Sequence, residues 1–324
     1  MIEYIVEHQN ALSGVTPSSM SICIKLLQRM LLPLFPMSEL SRSLLWEPSV
    51  SIKEDKKDRQ ELKSPIGMNL IQALVNLLFL QDYSIANLGE QGNDLDGIGI
   101  EPRIVWSNGI DIKAARQTNI RQYDANRCNI LSLILMCIGS GVYQEKTIPN
   151  YFNICLVDIQ LANIKNLFYS LLNTILNYNW QGLGIPYVST KSNKQEELVK
   201  QSLQVLYGLI ECVPLSLNRA EELIEKDVVV KNIAEYMKCD GTGLIVNNHS
   251  KLVCQIKGEA NYELLFKGIT RLLSNYVASS NSILPASVKR LDCFSELLIF
   301  FLRLIILNPV LLFTIIAILY LHAY

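Results

Sequence analysis

Three histidines, His8, His249 and His322, are the whole supply of imidazole in the sequence. They are placed in an N-terminal tail, a loop and the last residues, so neither an acid–base pair nor a metal site is expected from them. Gly97-Ile-Gly99 and Gly241-Thr-Gly243 resemble fragments of phosphate loops. Neither follows a strand pattern or ends in the Gly-Lys-Ser/Thr that grips phosphate and magnesium, so both read as loop glycines. Asp94 and Asp96 begin like a calcium loop, but the remaining carboxylates do not follow. Glu196-Glu197 and Glu221-Glu222 are adjacent acids that diverge around a helix, and acid in a first helical turn is explained by the macrodipole.

The eight cysteines (Cys23, Cys128, Cys137, Cys155, Cys212, Cys239, Cys254 and Cys293) lie far apart, mostly inside apolar stretches. No C-x-x-C occurs, so they read as small packing residues in a reducing, cytosolic setting. Arg116, Arg121 and Arg127, with Lys113 nearby and Tyr123 between, form a moderately basic cluster. Asp111 and Asp124 weaken its field, so it reads as exposed surface, with phosphoinositide or partner contact as the functional alternative. No cofactor, metal or small-molecule substrate is implied. The formal charge of -1 leaves no basic field to gather nucleic acid.

The elements that would position these groups are helical. Half of the residues are hydrophobic, enough for a continuous core. Apolar spacing predicts a helix from Met20 to Leu32 ended by Pro33 and Pro36, a short helix to about Trp46, and a helix from Pro65 to Leu80. Cys128 to Ile138 is apolar nearly all round, as in an enclosed helix, with Gly139-Ser-Gly141 as its stop. Leu167, Phe168, Leu171, Leu172, Ile175 and Leu176 form the next face, which breaks into a Gly/Pro corner. Ser192 and Gln195 predict a capping box ahead of a helix that turns Leu198, Val199, Leu203, Val205, Leu206, Leu209 and Ile210 inward. The helical period resumes over Tyr262–Leu273 and Leu291–Leu307.

The expected fold class is all-α, an irregular armadillo/HEAT-like helical solenoid of stacked helix pairs. Residues 1–19 are expected as a tail and 20–324 as one helical-repeat domain, with loops near 49–64, 88–110 and 239–258. Met1-Ile-Glu-Tyr is no secretory signal, and Ile2 in place of Gly argues against N-myristoylation. Leu297 to Leu321 is long enough to span a bilayer but contains Arg303 and the Asn308-Pro309 break. Two readings stand: two buried helices, or an integral membrane protein with a transmembrane helix near 304–321 and Lys289 and Arg290 on the cytosolic side.

Several blocks are more specific than their leucine content requires. They are Asn126 to Cys137, the helix and corner Ser170-Leu-Leu-Asn-Thr-Ile-Leu-Asn-Tyr-Asn-Trp-Gln-Gly-Leu-Gly-Ile-Pro-Tyr187, Leu198 to Leu206, Phe266-Lys-Gly-Ile-Thr-Arg-Leu-Leu-Ser-Asn275, and Phe294 to Phe300. In order and spacing they resemble the Hid family, the high-temperature-induced-dauer-formation proteins related to dymeclin. The likeness covers roughly residues 20 to 313 and the N-terminal portion of a longer family protein. It implies a non-enzymatic peripheral protein on the cytosolic face of the Golgi and trans-Golgi network, acting in secretory vesicle traffic and cargo sorting. The implied partners are the Golgi membrane surface and trafficking proteins. Within the likeness Trp180, Gly182, Gly184, Pro186, Tyr187, Lys267 and Arg271 are the candidate corner or contact residues. Two features depart from the family: the Met1-Ile2 start, where members can begin Met-Gly and be myristoylated, and the drift over Val310 to Tyr324, which suggests a truncated product.

Overall fold

The protein is described from a computed structural model covering residues 1–12, 14–47, 64–86, 105–110, 121–144, 150–157, 164–178, 194–212, 227–236, 247–281 and 292–323. Among the described residues the regular structure is helical, with one isolated bridge between Gln81 and Ile85 and no strand. The chain is all-α.

The helices follow from apolar spacing plus end chemistry. Helix α1 (Ile2–Glu7) buries Ile5. Helix α2 (Pro17–Leu34) starts where the Thr16 hydroxyl accepts from the Ser19 N–H and Pro17 occupies the first turn, a position that has no donor to lose. Its inner stripe is Met20, Ile24, Leu27 and Leu31. Pro33 lies inside the helix, although the sequence predicts an end there; the missing N–H falls in the final turn, so the break coincides with the helix end. Helices α3 (Ser38–Trp46) and α4 (Ile66–Leu77) follow. Gly67 is the contact between them, because a β-carbon there would come 2.8 Å from the Trp46 ring.

Helix α5 (Arg121–Gly139) begins about two turns before the predicted start, and Ser140–Tyr143 continues it as a 3-10 turn. Helices α6 (Tyr151–Leu156), α7 (Ile164–Asn177), α8 (Lys194–Glu211), α9 (Val228–Tyr236), α10 (Asn248–Gln255), α11 (Glu259–Asn281), α12 (Phe294–Leu307) and α13 (Pro309–Ala323) follow among the described residues. Packing runs along the chain. Helix α1 lies on α4, α2 on α5, α5 on α8, and α8 on α7, α10 and α12, while α11 bridges α7, α12 and α13. One continuous core extends from Ile5 to Ile315. Gln122–Tyr143 is long and apolar enough to cross a membrane, but half of that stretch is buried inside the protein, with α2 and α8 packed on α5.

Three sequence expectations change. Residues 1–19 contain α1 and the start of α2, because Ile5 supplies an apolar anchor that docks on α4. The expected loop at 239–258 contains α10, which begins at an asparagine cap. The apolar stretch 304–321 is divided: α12 and α13 meet at Asn308 at an angle of 106°, and Leu297, Phe300, Leu304, Leu311 and Ile315 turn into the core. Asn308 itself is buried and donates to the Val253 and Ile256 carbonyls, so the bend is tied to the end of α10. Arg303, costly in lipid, instead places Nε 2.6 Å from Glu211 Oε1 at the end of α8.

Candidate functional site

Several of the polar side chains buried among the described residues are used on helix ends. Every helix leaves four carbonyls without an internal partner at its C-terminus, and a buried end needs a donor from elsewhere. At the start of α10, three consecutive residues answer this need. Asn247 is the cap: its Oδ1 accepts from the Ser250 N–H at 3.1 Å. Its Nδ2 faces the carbonyls of Leu209, Ile210 and Cys212 at 2.8, 3.2 and 2.7 Å, gathering the end of α8. Asn248 Nδ2 donates to the Val157 carbonyl and His249 Nε2 to the Leu156 carbonyl, at 2.8 and 3.0 Å, gathering the end of α6.

His249 was expected in a loop and is fully buried in the first turn of α10. Its Nε2 must carry the proton to donate to a carbonyl, which leaves Nδ1 bare and without a partner. Burial pulls its pKa down to about 4, against a weaker opposing effect of the Leu156 hydrogen bond. Because the unfolded chain takes up this proton below about 6.5 and the folded chain only near 4, stability is retained above the upper value and lost as pH falls through the window. From pH 7 to pH 5 the loss from this group is about 2 kcal/mol. Urea titrations of wild type and His249→Gln at both pH values check it; the pH slope attributable to this site disappears in the variant.

A second junction joins the end of α7 to the Phe266–Asn275 block on α11. The Arg271 guanidinium on α11 donates through Nη2 to the carbonyls of Leu176 and Tyr178, at the end of α7 just before the Gly/Pro corner. Gly268, one turn earlier, lets α11 approach so closely that a β-carbon would stand 2.9 Å from Leu176 Cδ2 and 3.1 Å from its carbonyl oxygen. Asn173 on α7 is fully buried, accepts from the Ile110 N–H at 2.9 Å and donates back to the Ile110 carbonyl at 3.3 Å. Asn177 donates to the carbonyls of Asn108 and Asn173. Lys267 faces outward and pairs with Glu263 one turn away. Trp180, Gly182, Gly184, Pro186 and Tyr187 lie outside the described residues, as do Ser192 and the 49–63 connection.

The third junction corrects the basic cluster. Arg127 is buried, its Nη1 2.9 Å from Asp124 Oδ1 and its Nε donating to the Ser84 carbonyl, with the guanidinium 4.9 Å from the centre of the Trp106 ring. Burial lowers its pKa to about 10, with Asp124 acting the other way. A charge so enclosed is a strut between α5 and the turn after α4; it offers nothing to a surface ligand. Lys113 and Arg116 lie outside the described residues.

Among the described residues no group of three metal-ligating side chains occurs. Burial holds the thiols of Cys128 and Cys212 up at about 12 and 11, so at neutral pH both are protonated and poor nucleophiles. A cleft of about 500 Å³ between α8, α10 and α12 is lined by Glu211, Lys251, Cys254 and Arg303 among others. The Cys254 thiol there donates to the Leu307 carbonyl at 3.1 Å, and Glu211 is engaged by Arg303. What the molecule does offer is surface: apolar side chains stand outward on α2, α3, α12 and α13. Sequence reading missed Asn247, Asn248, Asn173 and Asp227. The last accepts from the Tyr151 hydroxyl at 2.6 Å, pairs with Arg42 at 2.8 Å and caps α9 through the Val229 N–H. The legible signal was the Asn247-Asn-His249 run itself, three short polar groups ahead of Leu252 and Val253.

The family model described as high-temperature-induced dauer-formation protein matches residues 2–322. Protein HID1 of Mus musculus is 27% identical over 303 residues, covering 90% of this chain and 37% of the mouse protein. The human Protein HID1 gives the same identity and the same shares over 305 residues. The Ubp5-interacting protein ftp105 of Schizosaccharomyces pombe is 22% identical over 214 residues, 63% of this chain and 21% of that protein. The chain thus spans about 37% of the length of the mammalian relatives. No solved structure matches.

Proposed function

The chain belongs to the high-temperature-induced dauer-formation (Hid1) family, and from that premise we propose that it is a non-enzymatic scaffold held peripherally on Golgi and trans-Golgi membranes. In this reading it acts in secretory vesicle traffic and cargo sorting, and its partners are the membrane surface and trafficking proteins. The match over nearly the whole chain carries the proposal. Its helices stack as an irregular armadillo/HEAT-like solenoid, an arrangement whose product is extended surface. The disposition of polar groups supports this: Asn247, Asn248, His249, Asn308 and Arg271 serve helix ends, and Arg127 and Asp227 act as struts, the chemistry of a rigid platform. A relative named for its interaction with Ubp5 agrees with a protein-binding role.

The test is made in cells, on the family-length protein and on this chain, each fused to a proximity-labelling biotin ligase and followed by alkaline carbonate extraction. Labelled neighbours drawn from Golgi and endosomal proteins, with release from membranes by carbonate, are expected. Neighbours from other compartments overturn the trafficking reading, and retention in the pellet after carbonate replaces the peripheral scaffold with an integral membrane protein.

A further inference from the structure

Helix α2 carries two apolar stripes, and only one of them has a use inside the fold. The inner stripe, Met20, Ile24, Leu27 and Leu31, is buried against the core. On the opposite side Ile22, Leu26 and Met30 recur every four residues with 57%, 44% and 59% of their surface exposed. At 100° per residue they fan over about 80° of the helix circumference. Lys25 and Arg29, both exposed, flank the same stripe on one side, again four residues apart. Helix α2 contains no aspartate or glutamate. Leu32 and Met37 extend the exposed apolar surface into the corner that leads to α3.

From this pattern we propose that the outer face of α2 is a docking surface for an anionic lipid bilayer. Ile22, Leu26 and Met30 enter the boundary between headgroups and acyl chains, while Lys25 and Arg29 lie at the level of the lipid phosphates. An interfacial helix needs this combination: apolar side chains for burial in the boundary layer and adjacent cations for the negative surface potential. Charge complementarity selects this occupant over an apolar partner helix, because the cations border the stripe and no acid on α2 neutralises them. Helix α3 exposes Leu40 and Leu44 but also Glu39, with Glu47 exposed just after its end, acids which anionic lipid repels; contact is therefore made by α2 and the corner, with α3 lifted away. The proposal rests on the membrane-scaffold reading and adds to it the face that meets the membrane.

Purified protein is sedimented with vesicles of phosphatidylcholine alone and of phosphatidylcholine with phosphatidylserine. Binding is expected to the anionic vesicles and to fall with added salt. The double variant Lys25→Glu, Arg29→Glu weakens it about twentyfold, and the triple variant Ile22→Ser, Leu26→Ser, Met30→Ser at least about tenfold. Since all five side chains lie outside the core, circular dichroism and melting temperature stay at wild-type values, which separates lost binding from lost fold. Wild-type failure to bind anionic vesicles overturns the proposal, as does full binding by either variant. A wild type that scatters light as a dimer, made monomeric by the triple variant, assigns the face to a second copy and also overturns it. In these cases Golgi neighbours from proximity labelling leave the scaffold reading standing, so the two failures are told apart.

Discussion

Asn247→Asp is expected to destabilise the fold by about 3–5 kcal/mol, even though aspartate is as good a helix cap as asparagine. The cap itself survives the exchange, because a carboxylate oxygen still accepts from the Ser250 N–H. What changes is the other side. The amide nitrogen that now faces the carbonyls of Leu209, Ile210 and Cys212 becomes an oxygen bearing negative charge, aimed at three partial negative charges in a buried site. Asn247→Ser, which keeps an acceptor for the cap and removes the donor, costs less, about 1–3 kcal/mol. Urea unfolding of the three proteins measures both.

The sign of the pH dependence adds a check. Repulsion and burial raise the folded-state pKa of the new carboxyl, so the penalty is full above that value and relieved as pH falls below it. Relative to wild type at each pH, which removes the His249 contribution, Asn247→Asp recovers on acidification. An aspartate variant as stable as wild type at neutral pH contradicts the role assigned to the amide.

Gly268→Val is expected to cost about 3 kcal/mol through steric pressure. The nearest atoms to a β-carbon at this position include the backbone of Leu176, its carbonyl oxygen at 3.1 Å and its α-carbon at 3.2 Å, which cannot rotate aside. Helix α11 must move off α7, and the Arg271 donations to Leu176 and Tyr178 lengthen with it. Gly139→Ala is the control: the backbone there is helical, with φ -75°, and nothing lies within 4 Å of a β-carbon. That substitution is expected to stabilise the protein by about 0.4–1 kcal/mol, by restricting the unfolded chain. Thermal melts that lower the midpoint for Gly268→Val and raise it for Gly139→Ala separate close approach from helix propensity.

The helices were legible because their signal is local. Period and composition located α4, α7, α8 and α12, and the core face of α8 fell on Leu198, Val199, Leu203, Val205, Leu206, Leu209 and Ile210. Lys-Gly-Ile-Thr-Arg and the end of α7 were singled out as sequence blocks, and they meet in space through Gly268 and Arg271. Their separation along the chain gave no hint of that contact. Arg127 looked like surface because arginine is mostly exposed; only the neighbouring Asp124, Ser84 and Trp106 make its burial tolerable. His249 looked idle because a single histidine carries no pattern, and its partner lies at Leu156 in another helix.

By itself the sequence determined that this protein is helical, apolar inside and related to the Hid1 family, since periodicity and motif order belong to neighbouring residues. Tertiary structure alone decided where the polar groups are spent, how 304–321 bends, and which apolar stripe of α2 remains outside. Those outcomes depend on which helix end comes to rest beside which side chain, and a buried carbonyl's need for a donor is met across distances that one-dimensional spacing does not encode.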